Sequence, residues 1–269
     1  MVQTKAGQWI PRAREWLQSA SSPSALTMAD IRNACCIAAE GPASEADAKQ
    51  AAKHWEAAGL LRRVRKGVWL NAQRKPAGTL DDVLSLARAG AVNSLHSVLG
   101  ACGAHNNPSI MAFGVCPSDE PPRELAGVST RLGQMRFFAL PKAFFEDPSH
   151  GGSWRAPSKR PAFAPEKALL DWIFLGRAET CSLPEPNPSD IDLDMLDLGK
   201  AAKWAKQLSM GDKLASWLAR HPEPNEQALA VMARAREDGF AAGARAASAS
   251  RALRGPSIRD RARARGLAR

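Results

Sequence analysis

Two four-residue signals near the N-terminus constrain this chain more than anything else in it. Thr27-Met-Ala-Asp30 and Ser44-Glu-Ala-Asp47 each place a hydroxyl three residues ahead of a carboxylate. At that spacing the hydroxyl oxygen accepts from the backbone N–H three residues on. The carboxylate reaches back to the N–H of the hydroxyl residue itself. Both are therefore helix starts, with Asp where Glu is more usual. Gly41-Pro42 closes the first of these helices and Gly59 the second; glycine accepts the left-handed backbone that commonly follows a helix C-terminus. Ahead of both, WIPRAREWLQSA (9–20) reads as another helix, with Pro11 near its start, where a missing N–H costs nothing. After Gly59 comes LLRRVRKGVWLN: a strand from Leu60 to Arg65, a turn at Lys66-Gly67 and a return from Val68 to Asn71. Three helices and a hairpin between residues 9 and 75 follow the order of a winged helix-turn-helix. In that fold the third helix enters the major groove and the hairpin is the wing.

The third helix is patterned for such a role. Ala48, Ala51, Ala52 and Trp55 fall on one stripe. Ala46, Lys49, Gln50, Lys53 and Ala57 fall on the other side, small, amide-bearing or cationic, with His54 beside Lys53. The candidate DNA contacts are thus Ser44, Lys49, Gln50, Lys53 and His54 on the helix, and Arg62, Arg63, Arg65 and Lys66 on the hairpin. Strict strand alternation puts Arg63 and Arg65 on one face and Arg62 on the other, with Lys66 at the tip. The hairpin cations are expected at phosphates, which position a protein without reading sequence. The competing reading is a charged, solvated edge that resists aggregation.

Charge distribution favours the first reading. The net charge of +10 is uneven along the 269 residues. It is +6 over residues 1–78, zero over 79–180, −3 over 181–230 and +7 over 231–269. A basic module, a neutral to acidic body and a basic tail point to a polyanionic partner, nucleic acid before membrane. The expected division is a winged helix-turn-helix over 1–76, a mixed α/β domain over 77–240 and a flexible Ala/Arg-rich tail over 241–269. The class is helix-rich α+β. The five cysteines, an odd count, argue for thiols rather than a disulfide framework. The opening MVQTKAGQWIPRAREW has no apolar leader, and no run approaches the ~18 apolar residues of a membrane span. A cytoplasmic protein with no membrane partner is expected.

In the middle, residues 79–90 and 91–103 read as short helices, SIMAFGV (109–115) and MRFFAL (135–140) as strands, and 117–125 and 146–163 as loops. PEKALLDWIFL (165–175) is a helix with Pro165 at its first position and Glu166 on its positive end. Ala168, Leu169, Trp172, Ile173 and Leu175 are core-type residues, Glu166 reads as a cap, and Asp171 is expected to bond a loop backbone. Two short helices fit 191–220 and another fits 225–238.

APEKALLDWIFLG (164–176) resembles the central motif of the AbiEi family, the antitoxins of type IV toxin–antitoxin systems. The order of other segments is similar: the wing-like RRVRKGVWL, then VNSLHSVLGACG, MRFFALPKAFF, the PEKALLD helix and the Leu-rich DIDLDMLDL. The likeness spans roughly residues 25–220, and the Ala/Arg-rich tail departs from it. The resemblance implies an N-terminal winged helix, an α/β C-terminal domain that carries antitoxin activity, repression of the protein's own operon and functional opposition to a nucleotidyltransferase-like toxin, with no stable toxin complex implied. An inverted-repeat operator in double-stranded DNA is expected because a single recognition helix covers only a half-site.

Other chemistries are poorly supported. There is no P-loop and no GxGxxG. Cys102, His105 and Cys116 offer three ligands where structural zinc takes four at closer spacing. Asp190, Asp192 and Asp194 open like a calcium loop, but Met195 and Ala201 stand where its glycine and final glutamate belong. Gly151-Gly152-Ser153 lacks the paired acids of a nucleotidyltransferase. No cofactor, metal or catalytic residue is expected, and the chain reads as a non-enzymatic repressor and antitoxin. Two alternatives stay open: a stand-alone DNA-binding regulator of a mobile element without a toxin, and an enzyme or enzyme inhibitor acting through the middle domain.

Overall fold

The computed structural model describes residues 9–237 other than 20, 40, 108 and 148–161. The basic tail, the Gly151–Ser153 segment and most of the loop expected at 146–163 lie outside the described residues.

Helix α1 (Trp9–Gln18) leads to a short strand β1 (Ala25–Thr27), then α2 (Met28–Ala39), α3 (Glu45–Ala57) and the hairpin strands β2 (Leu61–Arg65) and β3 (Val68–Asn71). Both expected caps form. The backbone N–H and hydroxyl of Thr27 donate to Asp30 Oδ2, at 2.8 and 2.7 Å, and the Asp30 N–H donates back to Thr27 Oγ1. Ser44 and Asp47 make the same reciprocal pair at the start of α3. Strand β3 lies between β1 and β2 and is antiparallel to both. This is the topology of a winged helix-turn-helix. Strand β1 is an addition to the sequence-based expectation, which assigned no strand ahead of the Thr27 helix start.

The small sheet is buried on both faces, so all of Val68, Trp69 and Leu70 are covered. One face, with Leu26, Leu61 and Trp69, packs on Leu17, Ile31, Ala34, Cys35, Ala48, Ala51, Ala52 and Trp55. The other, with Val64, Val68 and Leu70, packs on Leu80, Val83, Leu84, Met135 and Phe137 of the following body. Full burial of such side chains contributes roughly 1.5–3 kcal/mol each as an upper estimate, so lifting the hairpin off the body costs several kcal/mol.

The body begins with a single 3-10 turn at Leu80–Val83, then α4 (Leu84–Ala87), β4 (Val92–Asn93) and α5 (Leu95–Ala101). Strands β5 (Ala112–Ser118), β6 (Arg123–Thr130) and β7 (Gly133–Pro141) follow. The sheet order is β4-β5-β7-β6, with β5 and β7 parallel and the other pairs antiparallel. Three expectations are corrected here. Residues 79–90 are a 3-10 turn and one short helical turn rather than a continuous helix. A two-residue strand precedes the helix at 91–103. The loop expected at 117–125 contains the end of β5 and the start of β6. Helices α6 (Pro165–Gly176), α7 (Leu198–Gln207), α8 (Gly211–Leu218) and a last helix, α9 (226–237), cover the far side of the sheet. Phe113, Val115, Phe138 and Leu140 point to these helices, while Ala112, Cys116, Met135 and Phe137 point to the winged sheet. The protein is helix-rich α+β, its larger sheet forming a middle layer between helices and the winged module.

The charged residues of the PEKALLD helix are interior. Lys167 and Asp171 are both 0% exposed and ion-paired along α6. Ser94 Oγ donates to Asp171 Oδ2 at 2.7 Å, and the Lys167 ammonium lies 4.3 Å from the Phe163 ring centre and 4.8 Å from that of Phe144. Asp171 thus bonds two side chains, not the loop backbone expected of it: Lys167 is one turn behind it, and Ser94 is presented by the turn before α5. Burial pushes the Lys167 ammonium below and the Asp171 carboxyl above their ordinary values, each opposed by its partner. Glu166, at the positive end of α6, accepts from the Asp197 N–H at 3.2 Å and lies 3.4 Å from Lys200 Nζ. Pairing is what makes such burial tolerable, because a buried charge without a partner is strongly destabilising.

Candidate nucleic-acid interface

The helix-turn-helix is held by side-chain bonds to backbone carbonyls. Arg32 Nε donates to Ala43 O at 2.8 Å, closing the turn between α2 and α3, and Arg12 donates to Ala38 O at the end of α2. Within α3, Ala48, Ala51, Ala52 and Trp55 are buried, as the stripe predicts, and the complementary face is open. Lys49, Gln50, Lys53 and His54 are all exposed along it. Gln50, Lys53 and His54 make no side-chain hydrogen bond or ion pair among the described residues. Lys49 is paired at 2.7 Å with Glu45, one turn earlier, and the side chains of the two are 63% and 69% exposed. The bond to Lys49 holds the Glu45 carboxyl below its ordinary value, and the charge of Arg32 adds to the effect. Ser44 is committed to the cap: its hydroxyl donates to Asp47 Oδ2 at 2.7 Å and accepts from the Asp47 N–H.

The wing is tied to α3 from beneath. Trp69 Nε1 donates to Glu56 Oε2 at 3.3 Å, so the central strand of the wing and the last turn of the helix share a polar link beside their common core. Gly67 at the tip has φ +79, in the left-handed region that glycine accepts without strain.

The four hairpin cations are not placed as strict alternation predicts. A bulge between Arg63 and Arg65 sets Arg63 against Trp69 and Arg65 against Val68, which leaves Val64 extra. Arg62, Arg63 and Arg65 are all exposed, while Leu61 and Val64 are buried. Two of the arginines bond the body: Arg62 Nη2 donates to Gly78 O at 3.0 Å and Arg65 Nη1 to Ala87 O at 3.0 Å. The expected placement of Arg63 and Arg65 on one face, with Arg62 on the other, is therefore corrected: Arg62 and Arg65 share a face and Arg63 lies on the opposite one. Arg63 and Lys66 are the two hairpin cations without a side-chain partner among the described residues. Leu61 and Val64, three residues apart, pack on opposite faces of the sheet, and the bulge sets Arg65 opposite Val68, on the face that Arg62 shares with Leu70.

The open face thus combines a helix bearing Lys49, Gln50, Lys53 and His54 with a wing bearing Arg63 and Lys66. Sequence reasoning missed Glu45, an acid in the first turn of α3, and Glu56, which braces the wing. The spacing of Glu45 and Lys49, four residues apart on a helix, was a readable signal for the first. Among the described residues no three His, Cys, Asp or Glu side chains converge as a metal site would need, and no helix is long and apolar enough to cross a membrane.

No family profile matches this chain. No curated protein matches it either. Among solved structures it is similar to the crystal structure of RV2827C protein from Mycobacterium tuberculosis, with a TM-score of 0.47 and 16% identity over 84% of this chain and 80% of that one.

Proposed function

We propose that this protein is a non-enzymatic, DNA-binding transcriptional repressor that serves as the antitoxin of a type IV toxin–antitoxin system. The observation that carries the DNA-binding half is the open face of α3, where Gln50, Lys53 and His54 lack partners among the described residues, beside a wing whose Arg63 and Lys66 lack them there too. Polar and cationic side chains held outward on a helix of this diameter suit the major groove, and the wing cations suit the flanking phosphates. The partner is double-stranded DNA with an inverted repeat, because one recognition helix covers a half-site.

The antitoxin half rests on the resemblance carried by APEKALLDWIFLG and the segment order around it. Opposition to a nucleotidyltransferase-like toxin is functional in this reading and requires no stable complex. The deciding experiment is a footprint of the full chain on the DNA upstream of its own gene, with a co-expression rescue against the neighbouring frame. Protection of two symmetric half-sites together with rescue is the expected result. Protection without rescue leaves a repressor that is not an antitoxin, and no protection of any duplex removes the DNA-binding reading.

A further inference from the structure

The geometry points to Glu45 and Lys49 acting together as a reader of a C·G base pair, with Glu45 as the residue that sets the preference. This inference rests on the DNA-binding reading above.

Glu45 is the first residue of α3, and recognition helices meet base edges with their N-terminal residues. Its carboxylate is exposed, and its pairing at 2.7 Å sets it beside Lys49, which lies on the open face of the helix. A solvent-exposed i,i+4 pair contributes little to stability and exchanges readily for other partners. In a major groove an ionised carboxylate has few acceptable neighbours. Phosphates repel it, and so do the N7 and O6 acceptors of guanine. The N4 amine of cytosine is a donor that suits it, while guanine N7 and O6 suit the ammonium of a lysine. A C·G pair presents a donor at one side of the groove floor and two acceptors at the other. Glu45 and Lys49 present the complementary acceptor and donor, already side by side. Among the described residues, Arg32 is the other cation that acts on Glu45, and its Nε is engaged with Ala43 O. Lys49 is therefore the partner free to move with it.

Glu45 also sits on the positive end of α3 and favours the helix whatever the DNA. That role alone predicts a uniform change in binding to all sequences. The reading role predicts a change confined to one position of each half-site. The test selects preferred duplexes from a randomised pool with the full-length protein, then measures the affinities of wild type, Glu45→Ala and Lys49→Ala for the preferred site and for each single base-pair substitution in it. Circular dichroism and a thermal melt establish that the variants are folded. The expected result is one C·G position per half-site at which wild type discriminates roughly five- to tenfold. Glu45→Ala abolishes that discrimination and binds the substituted sites at least as tightly as wild type does, because a carboxylate facing wrong acceptors has gone. Lys49→Ala loses the same position and weakens binding overall. If Glu45→Ala keeps the wild-type preference at every position, or weakens all sites equally, the inference is overturned while the DNA-binding reading stands. If wild type enriches no sequence, both fall.

Discussion

Four cations flank the turn of one hairpin, and their surroundings make them unequal. Arg62 and Arg65 bond the carbonyls of Gly78 and Ala87; Arg63 and Lys66 have no side-chain partner among the described residues. Each phosphate that is no longer neutralised should reduce the slope of log K against log salt by about 0.9. Changing Arg63 and Lys66 together to Ala is therefore expected to flatten the slope by nearly two, with the preferred sequence intact. Changing Arg62 and Arg65 instead is expected to leave the slope nearly unchanged and to cost roughly 0.5–1.5 kcal/mol of stability for each lost bond, the part-buried one of Arg62 more than the exposed one of Arg65. Equal slopes for the two double variants, read from salt titrations, would remove this division. In the body, His96 stacks on Phe113 and lies against Trp172, with ring centres 4.3 and 3.6 Å away, and its buried Nδ1 has no hydrogen-bond partner among the described residues. Burial first, then the neighbouring His105 and Arg136, push it down to about 3 from 6.5. The unfolded chain takes up a proton near pH 6.5 and the folded one only near 3, so this residue's contribution to stability is lost as pH falls through that window. His96→Phe keeps an aromatic ring between Phe113 and Trp172 and removes the titration. It is expected to narrow the drop in melting temperature between neutral pH and about pH 4.5; an unaltered drop would assign the acid sensitivity elsewhere.

At the scale of elements, α3 depends on its first turn. Replacing Ser44 by Ala should cost about 1 kcal/mol, while Gly, tolerated as an N-cap, should cost only a few tenths. DNA affinity is expected to follow the same order, Gly close to wild type and Ala weaker, because Ser44 acts through the cap. If the Gly variant loses as much binding as Ala without losing stability, Ser44 instead touches the DNA. Helix α3 and its hairpin were legible in the sequence because their signals are local: the Ser44–Asp47 box, the Ala/Trp stripe, Gly59 and Gly67. What was not legible depends on partners far along the chain. Strand β6 is an edge strand whose residues Arg123–Thr130 are all at least partly exposed, so no hydrophobic alternation marks it. Strand β4 is two residues long and exists only through pairing with β5. Lys167 and Asp171 look like surface charges on an amphipathic helix. Only the arrival of Ser94, Phe144 and Phe163 from elsewhere makes them interior. The bulge in β2 was not legible either, since Leu61 and Val64 fit unbroken alternation on a sheet covered on both faces, and its outcome, Arg62 and Arg65 bonded to the body, needs the body to be present.

The molecule as a whole is joined through the small sheet. Val64, Val68 and Leu70 cover Val83, Leu84, Met135 and Phe137, so a body cut free at residue 76 would expose a large apolar face. Such a fragment is expected to bind a hydrophobic dye and to melt well below the intact chain. A truncation is thus a poor way to separate repression from toxin suppression. A full-length variant carrying Gln50→Ala, Lys53→Ala, Arg63→Ala and Lys66→Ala alters only exposed residues of the winged module. It should lose operator binding, with Gln50 accounting for roughly 1–3 kcal/mol of base preference, yet still rescue cells from the toxin. Failure of this folded variant to rescue would mean that the two activities share a surface. The doubly covered sheet has a further consequence on DNA. If α3 reads DNA as proposed, the packing of its sheet on the body would hold each body at a set azimuth around the duplex axis, and adding base pairs between half-sites would rotate one body about the other by roughly a tenth of a turn per pair. Two bound copies would then clear or collide according to helical phase, so half-site spacing would be tolerated in steps of whole DNA turns.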